Sequence, residues 1–185
     1  TTRDFAKGHH RFIQIQRHPK KAIIIPSVSS DKRNYVPIGF VDDNTVISNL
    51  AFAVYDYEVY LFGIISSKMH MVWTKTVAGR LGMGLRYSNV LCYNTFPFPQ
   101  ITEKQKEEIT ELVFAILDER EKHSQKTLAQ LYDPDKMPEG LKKAHHNLDI
   151  AIEQCYRSKP FESDEERLEY LFKMYEEMTS KDNIK

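Results

Sequence analysis

The run Asn94-Thr95-Phe96-Pro97-Phe98-Pro99-Gln100 divides this 185-residue chain into two stretches of unlike periodicity, and that division constrains the fold more than any other feature. Prolines remove backbone donors and push the residues before them towards extended geometry, so neither a helix nor a central strand runs through the segment. Before it, residues 22–26, 35–41 and 45–55 are short β-branched and aromatic runs that predict strands. Asp42-Asp43-Asn44 predicts a hairpin between the second and third, because Asp and Asn tolerate turn geometry and bond their own backbone. From Glu58 to about Val77 the apolar spacing lengthens, and Leu61, Ile65, Met69, Val72 and Trp73 form one stripe of a long helix that Gly79 stops.

After Pro99 the spacing is helical throughout. Thr102 with Gln105 predicts a capping box ahead of an apolar face of Ile109, Leu112, Val113, Ile116 and Leu117. A second helix starts near Pro138 with Leu141, Leu148, Ile152 and Cys155. Ser163 and Glu166 cap a third, which carries Leu168, Leu171, Phe172 and Tyr175. Residues 131–138 read as a turn between helices. The expected fold is therefore α+β: a mixed β-sheet domain with a long helix over residues 1–99, then a small all-helical region over residues 100–185.

Several chemistries lack their residues. The apolar stretch 59–73 is broken by Ser66, Ser67, Lys68 and His70, which argues against a membrane span. Cys92 and Cys155 stand far apart without a CxxC spacing, so they predict buried thiols of a cytoplasmic protein and neither a disulfide framework nor a zinc site. His9-His10, His70 and His145-His146 follow no ligand spacing, and no metal site is expected. Asp42-Asp43 lacks the downstream (Asp/Glu)-x-Lys of common nucleases, and no serine sits in a nucleophile elbow, so no catalytic residue is assigned. The opening Thr1-Thr2-Arg3-Asp4 reads as a piece of a longer polypeptide.

Net charge is zero, yet residues 1–98 hold 12 Lys/Arg against 6 Asp/Glu while the remainder holds 14 against 20. A basic front half rich in polar loops suits a polyanion, since neutralising phosphates releases counterions. Within it, residues 78–89 form a flexible loop of three glycines beside base-edge donors and acceptors. Arg80 and Arg86 can fork onto guanine, Asn89 can hold adenine, Ser88 can serve either, and Tyr87 completes the base-reading set. Gly79, Gly82 and Gly84 supply its flexibility and close approach. Lys68 and Lys75, seven residues apart on one helical face, join Arg17, Lys32 and Arg33 as phosphate contacts. Trp73 lies on the apolar stripe and is read as core.

Segments 30–40, 67–73, 79–81, 86–88 and 93–99 together resemble the target-recognition domain of MmeI-like DNA adenine methyltransferases. Residues 131–138 and 148–149 resemble the helical C-terminal region of the same proteins. The resemblance implies double-stranded DNA as partner, an upstream methyltransferase domain using S-adenosylmethionine, and in some members a nuclease. The (Asp/Asn)-Pro-Pro-(Phe/Tyr) loop that holds a flipped adenine is not found in 94–99, where the prolines are not adjacent. Gly79 to Gly84 does not follow GxGxxG either, so no cofactor is expected on this fragment, which is read as a monomer. Two alternatives stay open: a protein-interaction scaffold without nucleic acid, and a reader of structured RNA.

Overall fold

The computed structural model describes residues 21–182. Its α+β architecture contains two small antiparallel sheets in the first half and a helical second half, all around one apolar core. Strands β1 (Lys21–Pro26), β3 (Gly39–Asp42) and β4 (Ala51–Tyr55) make the first sheet, in the order β3-β1-β4. The predicted β3–β4 hairpin therefore does not form. The turn is real, with Asn44 N–H and the Thr45 hydroxyl donating to Asp42 Oδ1 at 3.2 and 3.1 Å, but the chain then crosses to the far edge. The isoleucine-rich β1, whose Ile23 and Ile25 are buried, takes the centre because it gains most from neighbours on both sides.

The two flanking strands are also shorter than predicted. Pro37 has no donor, and Ile38 N–H turns back to the Val36 carbonyl at 2.9 Å, so pairing begins only at Gly39. Residues 45–50 run over the surface, with Val46 and Leu50 exposed.

The single helix predicted over 58–77 is two helices, α1 (Val59–Ser66) and α2 (Lys68–Val77), broken at Ser67. Ser67 is extended at φ −78, ψ 163, donates its hydroxyl to the Ile64 carbonyl at 2.7 Å and accepts from His70 N–H at 3.4 Å. One serine thus closes the first helix and caps the second. After α2 come β5 (Gly79–Leu81) and β6 (Gly84–Arg86), which join β2 (Val28–Ser30) in the second sheet, then a π-helical turn over Asn89–Tyr93.

The helical half comprises α3 (Glu103–Glu121), α4 (Leu128–Leu131), α5 (Glu139–Tyr156) and α6 (Asp164–Asp182). Its capping signals behave as read: Thr102 and Gln105 cap one another reciprocally, and Glu166 N–H donates to Ser163 Oγ at 3.2 Å. The short α4 carries a second capping box, Thr127 with Gln130, inside a stretch for which no helix is predicted.

Helices α1, α3 and α5 cross where Gly63 lets them approach closely. A Cβ at Gly63 would stand 2.5 Å from Ile109 Cγ2 and 3.2 Å from Val113 Cγ2. Gly63→Ala gains about 1 kcal/mol of helix propensity but overpacks a dense core at about 1–3 kcal/mol. The expected result of urea denaturation is a net loss of stability, and a gain would show that the crossing can relax. The proline link is held by its aromatics, as Phe96 and Phe98 meet edge to face at 5.1 Å and Tyr156 donates to the Pro97 carbonyl at 3.0 Å. Trp73 is core, against Phe96, Phe172 and Tyr175.

Candidate nucleic-acid interface

The glycine-spaced segment predicted as a flexible loop is a hydrogen-bonded hairpin, with Gly79 opposite Arg86, Arg80 opposite Leu85 and Leu81 opposite Gly84. Pairing satisfies backbone groups that an open loop would leave to water. Gly82 and Met83 make its turn, and Gly82 at φ +58 occupies the left-handed region that favours glycine. Gly84 is required for close approach instead, since a Cβ there would stand 3.1 Å from the Ser29 carbonyl of the neighbouring strand.

Directly opposed residues share a face of a sheet, so the register separates the two arginines. Arg80 lies on the face of Leu85 and Ser29, both buried, and as an edge-strand residue it reaches solvent and pairs with Asp31 at 3.6 Å. Arg86 lies on the outer face with Val28, Ser30, Gly84, Gly79 and Leu81. Arg86 is exposed there, with Gly79 opposite it on β5 and the exposed Val28 opposite it on β2. The two guanidinium groups thus leave the sheet on opposite faces, where the sequence reading put both on one open loop.

The other predicted readers divide similarly. Tyr87 is only 4% exposed, and its hydroxyl pairs with His70 Nε2 at 3.0 Å. Burial raises its phenol well above the ordinary value. It is a core residue and not a base reader, because no base can reach it. Ser88 is half-buried and accepts from Leu91 N–H at 3.4 Å, capping the π-helical turn. Asn89 is exposed beside it.

Among the predicted phosphate contacts, Lys32 is exposed. Arg33 is bound into the structure, donating to Ser29 Oγ at 3.1 Å and to the Ala129 carbonyl at 3.4 Å, so it joins the two halves and is not a free cation. Lys68 pairs with Asp164 of α6 at 3.1 Å. Lys75, half-buried, sits in the field of Lys68, Arg80, Asp31 and Asp164, and burial foremost lowers its ammonium below the ordinary value. Lys68, Lys75 and Arg80 therefore share one charged surface, partly neutralised by two aspartates. Arg17 and the pair His9-His10 lie outside the described residues.

Two buried polar clusters carry structural weight that sequence reasoning missed. Arg120 donates Nη1–H to the Ile38 carbonyl at 3.0 Å and Nε–H to the Tyr132 hydroxyl at 2.9 Å, while Tyr132 also pairs with His145 Nε2 at 2.6 Å. Asp149 accepts from Lys68 N–H and from the Tyr35 hydroxyl, each at 2.7 Å. The signal was present: His145, Asp149 and Glu153 recur every fourth residue along α5, a polar row bordering Leu141, Leu148 and Ile152 on its buried face.

Among the described residues, no group of three or more His, Cys, Asp or Glu is placed to hold a metal ion, and no helix is long and apolar enough to cross a membrane. Cys92 is buried and Cys155 half-buried. The hairpin is antiparallel and follows a helix, so Gly79 to Gly84 does not form the strand–loop–helix cradle that dinucleotide-type cofactors use.

Fold and surface together define an α+β binding module whose hairpin sheet carries cations on both faces. Residues 1–100 match the family described as MmeI, target recognition domain, and residues 101–182 match MmeI, C-terminal domain. The chain is 53% identical over 160 residues to DNA methyltransferase A of Bacillus subtilis (strain 168), a match covering 86% of this chain and 18% of that protein. It is also similar to the solved structure of the type IIL restriction-modification enzyme MmeI in complex with DNA. That match has a TM-score of 0.89 at 42% identity and covers 97% of this chain and 24% of the other. The chain thus spans under a quarter of either relative's length. It belongs to the MmeI target recognition domain family, with the family's C-terminal domain following in the same chain.

Proposed function

We propose that this chain is the sequence-reading part of a DNA adenine methyltransferase, binding duplex DNA through the second sheet and carrying no catalytic residue of its own. The observation that carries the reading is the outer face of that sheet: an exposed Arg86 beside side-chain-free glycines, on a chain similar to an enzyme solved with DNA. An exposed arginine on such a face can enter a groove and fork onto guanine O6 and N7. Asn89, three residues further along the chain, offers an adenine-type donor and acceptor. Arg80 is reassigned to the charged surface it shares with Lys68 and Lys75, where with Lys32 it positions the backbone without reading sequence.

The division at residues 99 and 100 separates the reading half from a helical half that supports it. An upstream domain of a longer, cytoplasmic polypeptide would supply S-adenosylmethionine chemistry, and this chain's own residues would supply only binding and orientation. The test is a duplex selected from a random pool, titrated at two salt concentrations. Arg86→Ala is expected to lower affinity for the selected duplex by about 1–3 kcal/mol while leaving unrelated duplex nearly unchanged. Lys75→Ala is expected to weaken both alike and flatten the salt slope. Equal losses for the two variants on both duplexes would refute the assignment, and concentration-dependent self-association without DNA binding would favour a scaffold.

A further inference from the structure

We infer that Asp149 of the C-terminal region is a positioning residue for DNA reading: its one carboxylate holds both edges of the hairpin sheet in register with the helical half. This rests on the function proposed above for that sheet. In the order β2-β6-β5 the two outer strands are β2 and β5. Helix α2 enters β5 with only Ala78 between them, so the start of α2 sets where β5 lies. Tyr35 lies on the segment that leaves β2.

Asp149 reaches both places. Oδ1 accepts the first backbone N–H of α2, from Lys68, and Oδ2 accepts the Tyr35 hydroxyl, each at 2.7 Å. The first N–H groups of a helix have no partner within it, so an acceptor oxygen brought there from a distant helix satisfies one of them and fixes where the helix starts.

The sheet needs such a fastening. Each of its strands has three residues, and small isolated sheets are marginal in water. Beside Asp149 the two halves part around a cleft of about 620 Å³, lined by Asn34, Tyr35 and Lys68 on one side and His146, Glu153 and Arg167 on the other. Trp73 packs α2 against Phe172 and Tyr175 of the helical half, and beside the cleft the tie between the halves is polar. Arg167 is committed to Glu153 at 2.7 Å and to Asp164 at 3.2 Å, and Lys68 Nζ to Asp164 at 3.1 Å, which leaves Asp149 as the bridge to the backbone of α2.

The test uses the intact protein and two readouts. The first is the ratio of affinities for selected and unrelated duplex; the second is hydrogen exchange of the amides of residues 79–86, measured without DNA. Asp149→Ala is expected to lower the ratio at least tenfold, change affinity for unrelated duplex less than twofold and speed exchange in the hairpin. Asp149→Asn, which keeps one carbonyl acceptor for Lys68 N–H, is expected to recover part of both. If Asp149→Ala does not fold, Tyr35→Phe, which deletes a single hydroxyl, is expected to lower the ratio at least threefold. A folded Asp149→Ala or Tyr35→Phe with wild-type ratio and wild-type hairpin exchange overturns the proposal. Should the wild type show no sequence preference, the reading function fails, and hairpin exchange still decides whether Asp149 positions the sheet.

Discussion

Arg120→Ala is expected to destabilise the fold by about 3–4 kcal/mol, the sum of a truncated core side chain and a buried carbonyl left without a donor. Arg120 sits on α3 at 9% exposure, with its guanidinium over the rings of Phe62 and Tyr132 at 5.3 and 4.9 Å. Its partners are the Ile38 carbonyl and the Tyr132 hydroxyl, so it connects the segment just before β3 to the helical half. Removing it opens a cavity and strands the Ile38 oxygen. Tyr132 keeps a partner in His145. Arg120→Met, which restores most of the volume but no donor, separates the two contributions and is expected to lose less. Urea midpoints for the two variants measure this, and an Arg120→Ala loss below about 1 kcal/mol would mean that water replaces the guanidinium.

The second large effect is a dependence of stability on pH with an unusual division of sign. His70 and His145 are buried, and burial lowers both to about 3 from an ordinary 6.5. They stabilise the fold fully above pH 6.5, and that contribution is lost as pH falls, because the unfolded chain takes up two protons that the folded one refuses. Asp149 acts oppositely. Burial raises its carboxyl from 3.8 to about 7, outweighing the lowering by Lys68 N–H and the Tyr35 hydroxyl. Its contribution is present at the acid end and lost as pH rises towards 7. Glu153 on α5 opposes its ionisation and Lys68 favours it.

Between pH 4 and 6.5 these three groups leave a net uptake of one proton on unfolding, which corresponds to about 1.4 kcal/mol lost per unit of acidification. Asp149→Asn removes the opposing carboxyl, so its stability is expected to fall more steeply on acidification than that of the wild type. Chemical denaturation at half-unit intervals of pH measures both slopes. Parallel slopes would mean that Asp149 is ionised in the folded protein throughout this range.

Features with local causes were legible from residue order. Thr102 with Gln105 and Ser163 with Glu166 start helices because each cap is completed within four residues. Trp73 belongs to the core because it falls on an apolar stripe, and the two halves differ because prolines interrupt both helix and ladder. The α+β class follows from these, as does the family, whose motifs are short ordered runs.

What tertiary structure alone decided is every pairing between distant parts of the chain. Residue order placed β3 and β4 side by side, but burial of β1 between them is a competition among strands that no local pattern records. The break at Ser67 is completed by Asp149, a carboxylate 81 residues beyond Lys68. Arg80 and Arg86 look alike as letters and stand on opposite faces, because register across a two-residue turn settles which side each takes. Tyr87 differs from a surface tyrosine only in what closes over it. Backbone preference and side-chain spacing act over a few residues and are written in the chain. Facing, register and burial depend on which surfaces meet, and only the assembled fold determines them.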